Sequence, residues 1–217
     1  MNSAGSFTHG NRMIGRFLLI LSLLLVCALT VFYISQYSYY VPYSLKPDPS
    51  SQEWKELEEF ERRMLADIPE DILTRQKSNV LIQSVLNNPY INIHAAYWPD
   101  NYARGYESIK DKCNGLGELE TRSDASAELL NTYSRMQVTD TGDRFFKDRQ
   151  RLGTLEFILA QDVYLDKLSP SELRSLNRIA QEKFEEKVER GWGPMGCYQF
   201  YSVLSKNYQD DFPAPAM

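Results

Sequence analysis

The chain has 217 residues, with 24 Lys and Arg against 29 Asp and Glu, a net charge of −5 at pH 7, and only two histidines and three cysteines. An acidic balance disfavours nonspecific binding to a phosphate backbone, so a nucleic-acid partner is not expected. Two histidines exclude a histidine-rich metal site, and the P-loop, dinucleotide glycine, G-x-S-x-G and H-E-x-x-H patterns are all absent, so neither metal nor cofactor is expected.

Residues 1–16 read as a short polar tail. The stretch Phe17 to Ile34 (FLLILSLLLVCALTVFYI) dominates the chain, because no Asp, Glu, Lys or Arg lies between Arg16 and Lys46. Eighteen residues at ~1.5 Å each give about 27 Å of helix, close to the thickness of a hydrocarbon core. Ser22 and Thr30 can return their hydroxyls to the preceding turn, which keeps them satisfied in lipid. The aromatic run of Phe32, Tyr33, Tyr37, Tyr39, Tyr40 and Tyr43 suits the headgroup level.

Arg12 and Arg16 precede this segment and Lys46 alone follows closely, so the tail is expected in the cytoplasm and the bulk of the chain outside it. The competing reading is a cleaved signal peptide, with Val26-Cys27-Ala28 as the processing site. The absence of an N-x-S/T sequon favours a bacterial inner membrane facing the periplasm over a type II protein of a eukaryotic secretory route.

Residues 35–52 read as a juxtamembrane spacer, extended by the two prolines and three serines of Ser44 to Gln52. A helical domain is expected over 53–208. Trp54, Leu57, Phe60, Met64 and Leu65 recur at three- and four-residue steps and predict an amphipathic helix, with Glu58/Arg62 and Glu59/Arg63 as i,i+4 pairs. Asp67-Ile68-Pro69-Glu70 predicts the start of a second helix running to about Leu86, with Leu73, Val80, Leu81 and Val85 inward; Asn87-Asn88-Pro89 ends it.

Tyr90 to Tyr106 is aromatic-rich, and Pro99 and Gly105 predict an irregular course. Here Tyr97, Trp98 and Asn101 are ligand-binding candidates, together with Trp192 in the later GWGPM turn, because rings beside amides can seat a ligand. His94, Asp100 and Cys113 are the candidates for catalysis, as His94 is the one histidine outside the tail. Cys113 and Cys197 form a disulfide candidate, since an exported domain meets an oxidising compartment.

Ser123 to Gln137 predicts a helix with Leu129, Leu130, Tyr133 and Met136 on one face. Val138 to Arg151 reads as a charged connector. Its Asp140-Thr141-Gly142 is the tripeptide of aspartic proteases, but Arg144 and Lys147 follow in a helical context rather than between hydrophobic strands. Leu152 to Leu168 predicts the central helix. Ser169-Pro170-Ser171-Glu172 is a capping box opening a helix whose stripe is Leu173, Leu176, Ala180, Phe184 and Val188, closed by Arg190 and Gly191. Cys197 to Tyr208 predicts an aromatic helix, and 209–217 a loose tail.

These signals predict an all-α protein: one transmembrane helix followed by an extracytoplasmic bundle of about five to seven helices. Beyond Arg16, 22 basic residues face 29 acidic ones, net −7. The expected partners are the bilayer, through 17–34, and another protein, the chain acting as an envelope assembly factor or an immunity- or inhibitor-type protein. The alternative is an enzyme acting on glycan or peptide through the His94/Asp100 region.

Overall fold

The computed structural model describes residues 20–31, 39–91, 102–139, 145–192, 200 and 204. The chain divides into two compact units, Met1–Val41 and Pro42–Met217.

In the first unit, residues 20–31 form helix α1, with every side chain exposed. Thr30 donates its hydroxyl to the Val26 carbonyl at 2.7 Å, which satisfies its only side-chain donor inside the helix. Among the described residues no helix is long and apolar enough to cross a membrane. Twelve residues of α1 rise only about 18 Å, and the remainder of 17–34 lies outside the described residues.

The second unit is all-α, with no strand among its described residues. Ten helices are bounded within the described residues: α2 (Gln52–Glu56), α3 (Glu59–Ala66), α4 (Glu70–Leu73), α5 (Ser78–Leu86), α6 (Tyr102–Lys110), α7 (Asn114–Thr121), α8 (Ala125–Arg135), α9 (Phe145–Leu159), α10 (Asp162–Leu165) and α11 (Pro170–Glu189). They are more numerous and shorter than the five to seven expected. Local caps cut the long periodic segments into pieces.

The first predicted helix breaks at Leu57, whose ψ of 146° is extended. Glu58 then caps α3, its N–H donating to the Glu61 carboxylate at 2.8 Å. The break changes the ion pairs: Arg62 meets Glu59 at 3.7 Å, and Arg63 donates to the Asp111 carbonyl at 3.1 Å. It also turns the stripe outward, so that Phe60 is 72% and Met64 62% exposed while Ala66 faces the core.

The second predicted helix is likewise two. Between α4 and α5 the Arg122 guanidinium donates to the Leu73 carbonyl at 2.8 Å and to the Gln76 carbonyl, and its Nε donates to Glu118 at 2.9 Å. One side chain from the end of α7 thus takes up the last carbonyl of α4 and one in the link that follows it. Leu73, Leu81 and Val85 are buried as expected, and α5 ends at Asn87.

The expected irregular course fails at Gly105, which lies buried within α6. Helix α7, with glycines at 115 and 117, was not anticipated, since glycine weakens a helix interior. Packing explains it at Gly115: a Cβ there would sit 2.7 Å from Val85 Cγ2, so only glycine lets α7 lie this close to α5. Asn114 locks the approach, accepting from the Ile68 N–H at 3.0 Å and donating to the Ile68 carbonyl at 2.8 Å.

Helix α8 packs against α5, α9, α10 and α11, with Leu129, Leu130 and Tyr133 buried as the periodicity predicts. Helix α9 begins inside the expected connector, and every residue from 154 to 161 is buried, as befits a helix enclosed on all sides. At α11 both terminal signals hold. Ser169 Oγ accepts from the Glu172 N–H, Glu172 accepts from the Ser169 N–H at 2.8 Å, and Pro170 opens the helix. At the far end Gly191 adopts φ +72°. Its N–H donates to the Val188 carbonyl and the Trp192 N–H to the Lys187 carbonyl, the two bonds of a Schellman cap.

The segment read as an extended spacer is folded from Tyr43 onward. Tyr43 donates its N–H to Ser84 Oγ at 2.8 Å and packs partly against the core. The Asp48 carboxylate accepts from the Ser50 N–H and hydroxyl at 2.8 and 2.6 Å, closing an Asx turn.

Candidate functional site

Two polar assemblies and one apolar face distinguish the second unit. The first assembly is a groove of about 690 Å³ between the Tyr43–Ser50 segment, the end of α5 and the start of α9. Lys147 and Arg151 stand one turn apart on α9 and both line it. Arg151 donates to Asn87 Oδ1 and Gln83 Oε1, both at 2.5 Å, and at 3.4 Å to the Leu86 carbonyl, and so caps α5. Burial lowers the pKa of this guanidinium, partly offset by the charge of Asp148. Asp48 lines the same groove, its carboxyl held below the usual range by the Ser50 hydroxyl and N–H.

The second assembly is internal. Lys187 Nζ contacts both Glu156 oxygens, at 2.5 and 2.6 Å, with side-chain exposures of only 3% and 8%. Tyr133 donates to the same carboxylate at 2.9 Å, and Lys183 donates to the Met136 carbonyl. The C-cap of α11 sets Trp192 beside this cluster, its ring 5.4 Å from Lys187 Nζ and 4.9 Å from the Arg149 guanidinium carbon. Burial, then the charge of Glu156, raises the Tyr133 pKa, while burial lowers that of Lys183.

The stripe read from sequence for α11 includes Val188 and neither Lys183 nor Lys187. The order is reversed: Leu176, Ala180, Lys183 and Lys187 form the buried face, and Val188 is 50% exposed. The usable signal was spacing, since 176, 180, 183 and 187 keep the three- and four-residue steps of one face, but lysines are normally discounted as core members.

The apolar face belongs to α3. Phe60 and Met64 lie one turn apart, with Leu65 (37% exposed) beside them. The helix therefore presents its hydrophobic stripe to solvent rather than to the bundle.

Of the residues singled out from sequence, His94, Asp100, Tyr97, Trp98, Asn101 and Cys197 lie outside the described residues, as does Asp140-Thr141-Gly142. Trp192 is buried in the polar cluster. Tyr106, at the end of the aromatic stretch, is buried with its ring edge-on to Tyr164, and the two hydroxyls share a hydrogen bond of 2.8 Å. Cys113 is a free thiol, 1% exposed, and burial pushes its pKa up to about 12. Little thiolate exists there at neutral pH, and the thiolate is the nucleophile. No group of His, Cys, Asp and Glu suited to a metal ion occurs among the described residues.

No family model, curated protein or solved structure matches this chain.

Proposed function

We propose that the chain is a single-pass membrane protein, anchored through 17–34, whose helical unit lies outside the cytoplasm and works by binding another protein. An envelope assembly factor or an immunity- or inhibitor-type protein fits this reading. The observation that carries it is the outward stripe of α3. Phe60 and Met64 are large apolar side chains left in solvent on a helix whose sequence pattern is that of a buried face, and a shared apolar patch of this kind is characteristic of a protein interface. The exposed apolar side chains of α1 support the anchoring half of the proposal.

The test is in-cell photocrosslinking from position 60 and, as a control, from exposed Arg174 on α11. A discrete adduct from position 60 alone, lost in Met64→Lys, is expected. Absence of any adduct from position 60, with the chain present in the membrane fraction, would remove the binding reading. Recovery of the full chain in the soluble fraction would remove the anchor.

A further inference from the structure

We infer that the groove between the Tyr43–Ser50 segment and the Lys147–Arg151 face of α9 binds a small phosphate-bearing polyol, either free or as the headgroup of a lipid. The inference is independent of the α3 stripe.

Size comes first. About 690 Å³ lies within the range of small-molecule sites and exceeds what a bare anion needs. Charge comes second. The acceptors that hold Arg151 are a backbone carbonyl and two amide oxygens. All three are neutral, so they position the guanidinium without cancelling its charge. Asp148, its neighbour on α9, acts on it through space only.

Lys147 adds a second cation on the same face. The opposing charge in the lining is Asp48, whose oxygen is engaged by Ser50 and whose field is felt by Lys147. Two cations against one carboxylate give the lining itself one excess positive charge, with Asp148 close enough to act on Arg151 from outside it, in a chain whose overall charge is −5. A half-buried guanidinium gains from an anion at the N–H donors that Gln83, Leu86 and Asn87 do not occupy, and phosphate oxygens accept such charge-assisted bonds.

The remaining chemistry argues for hydroxyls next to the phosphate. Ser44, Asn87 and Gln150 line the same groove with groups that both donate and accept, as a polyol requires. Asp48 supplies a further acceptor. Tyr43 and Leu45 give the wall an apolar portion against which carbon atoms of the ligand can lie.

The experiment uses the full chain in detergent micelles and native mass spectrometry, with glycerol 3-phosphate as the soluble probe and phosphatidylglycerol against phosphatidylcholine as the lipid probes. Retention of glycerol 3-phosphate identifies a free ligand. Selective retention of phosphatidylglycerol identifies a headgroup. Either supports the proposal if Lys147→Glu weakens retention by roughly tenfold or more while Arg174→Ala leaves it unchanged. Arg151→Gln is expected to act in the same direction, but because Arg151 also caps α5, the exposed Lys147 is the deciding position. Retention of neither probe, equal retention by Lys147→Glu, or equal weakening by Arg174→Ala would each overturn it.

Discussion

Glu156 and Lys187 form an ion pair in the interior of a helical unit whose core is mainly Leu, Ile and Tyr. Taking both from water costs several kcal/mol per ion, and the short mutual contact plus the Tyr133 hydrogen bond offsets that cost only while every partner is present. Lys187→Met alone is therefore expected to destabilise by about 3–5 kcal/mol, because it strands a buried carboxylate. The double change Glu156→Met and Lys187→Met should recover most of that loss, which urea unfolding of the two variants would measure. Gly115 makes the opposite kind of demand, for absence of volume. Gly115→Ala puts a methyl group 2.7 Å from Val85 Cγ2, and overpacking of this kind costs roughly 1–3 kcal/mol despite the better helix propensity of alanine. A thermal melt showing stabilisation instead would mean that α5 and α7 move apart freely.

At the scale of elements, ends decide more than middles. The capping box of α11 orients its first turn, and the Ser169 hydroxyl and N–H hold the Glu172 carboxyl below its ordinary pKa. Ser169→Ala should cost about 1 kcal/mol. A depressed carboxylate stabilises above its unfolded pKa and loses that contribution as pH falls through the folded one. The difference between wild type and Ser169→Ala should accordingly shrink on acidification below about 4.5. A difference constant down to strongly acidic pH would show that the carboxylate has no part in the cap. The other end of α11 has consequences further away, because the positive φ of Gly191 is what turns Trp192 back onto Lys187. Helix α3 shows the converse: Glu58 starts a new helix one residue after Leu57 leaves the previous one, and that restart rotates Phe60 and Met64 away from the bundle.

For the whole molecule, three buried phenols dominate the response to base. Tyr106, Tyr133 and Tyr164 all have pKa values raised by burial above the ordinary 10.0. In the unfolded chain they ionise near 10, so above that pH the folded state holds more protons than the unfolded one and stability falls as pH rises. Lys183 acts in the other direction: burial lowers its pKa below 10.5, so just below that value the unfolded chain holds the extra proton and stability gains with pH. Tyr43, Tyr90 and Lys110 are shifted upward too and add to the three phenols against Lys183, so cooperative alkaline unfolding is expected above pH 10. Tyrosinate absorbance of these three should appear together with the loss of helical circular dichroism. Absorbance rising to completion while the helix signal persists would show that these rings are reachable in the folded state.

What the sequence determined by itself was whatever depends on neighbours in the chain: an all-α composition, the hydrophobic stretch around 20–31, the end of α5 at Asn87 and both caps of α11. These signals lie within a few residues of the structure they specify. Only tertiary structure decided which face each helix shows. On α3 the re-cap at Glu58 is local, and only the packed unit shows that it leaves Phe60 and Met64 outside; on α11 it is Glu156, more than thirty positions before Lys187, that pairs with this lysine in the core, and the Met136 carbonyl that receives Lys183. The groove is of the same kind, because Asp48, Asn87 and Arg151 meet only after α5 and α9 have packed. Periodicity records that a helix has two faces; long-range partners, distant in sequence and compensating each other's desolvation, choose which of them is buried.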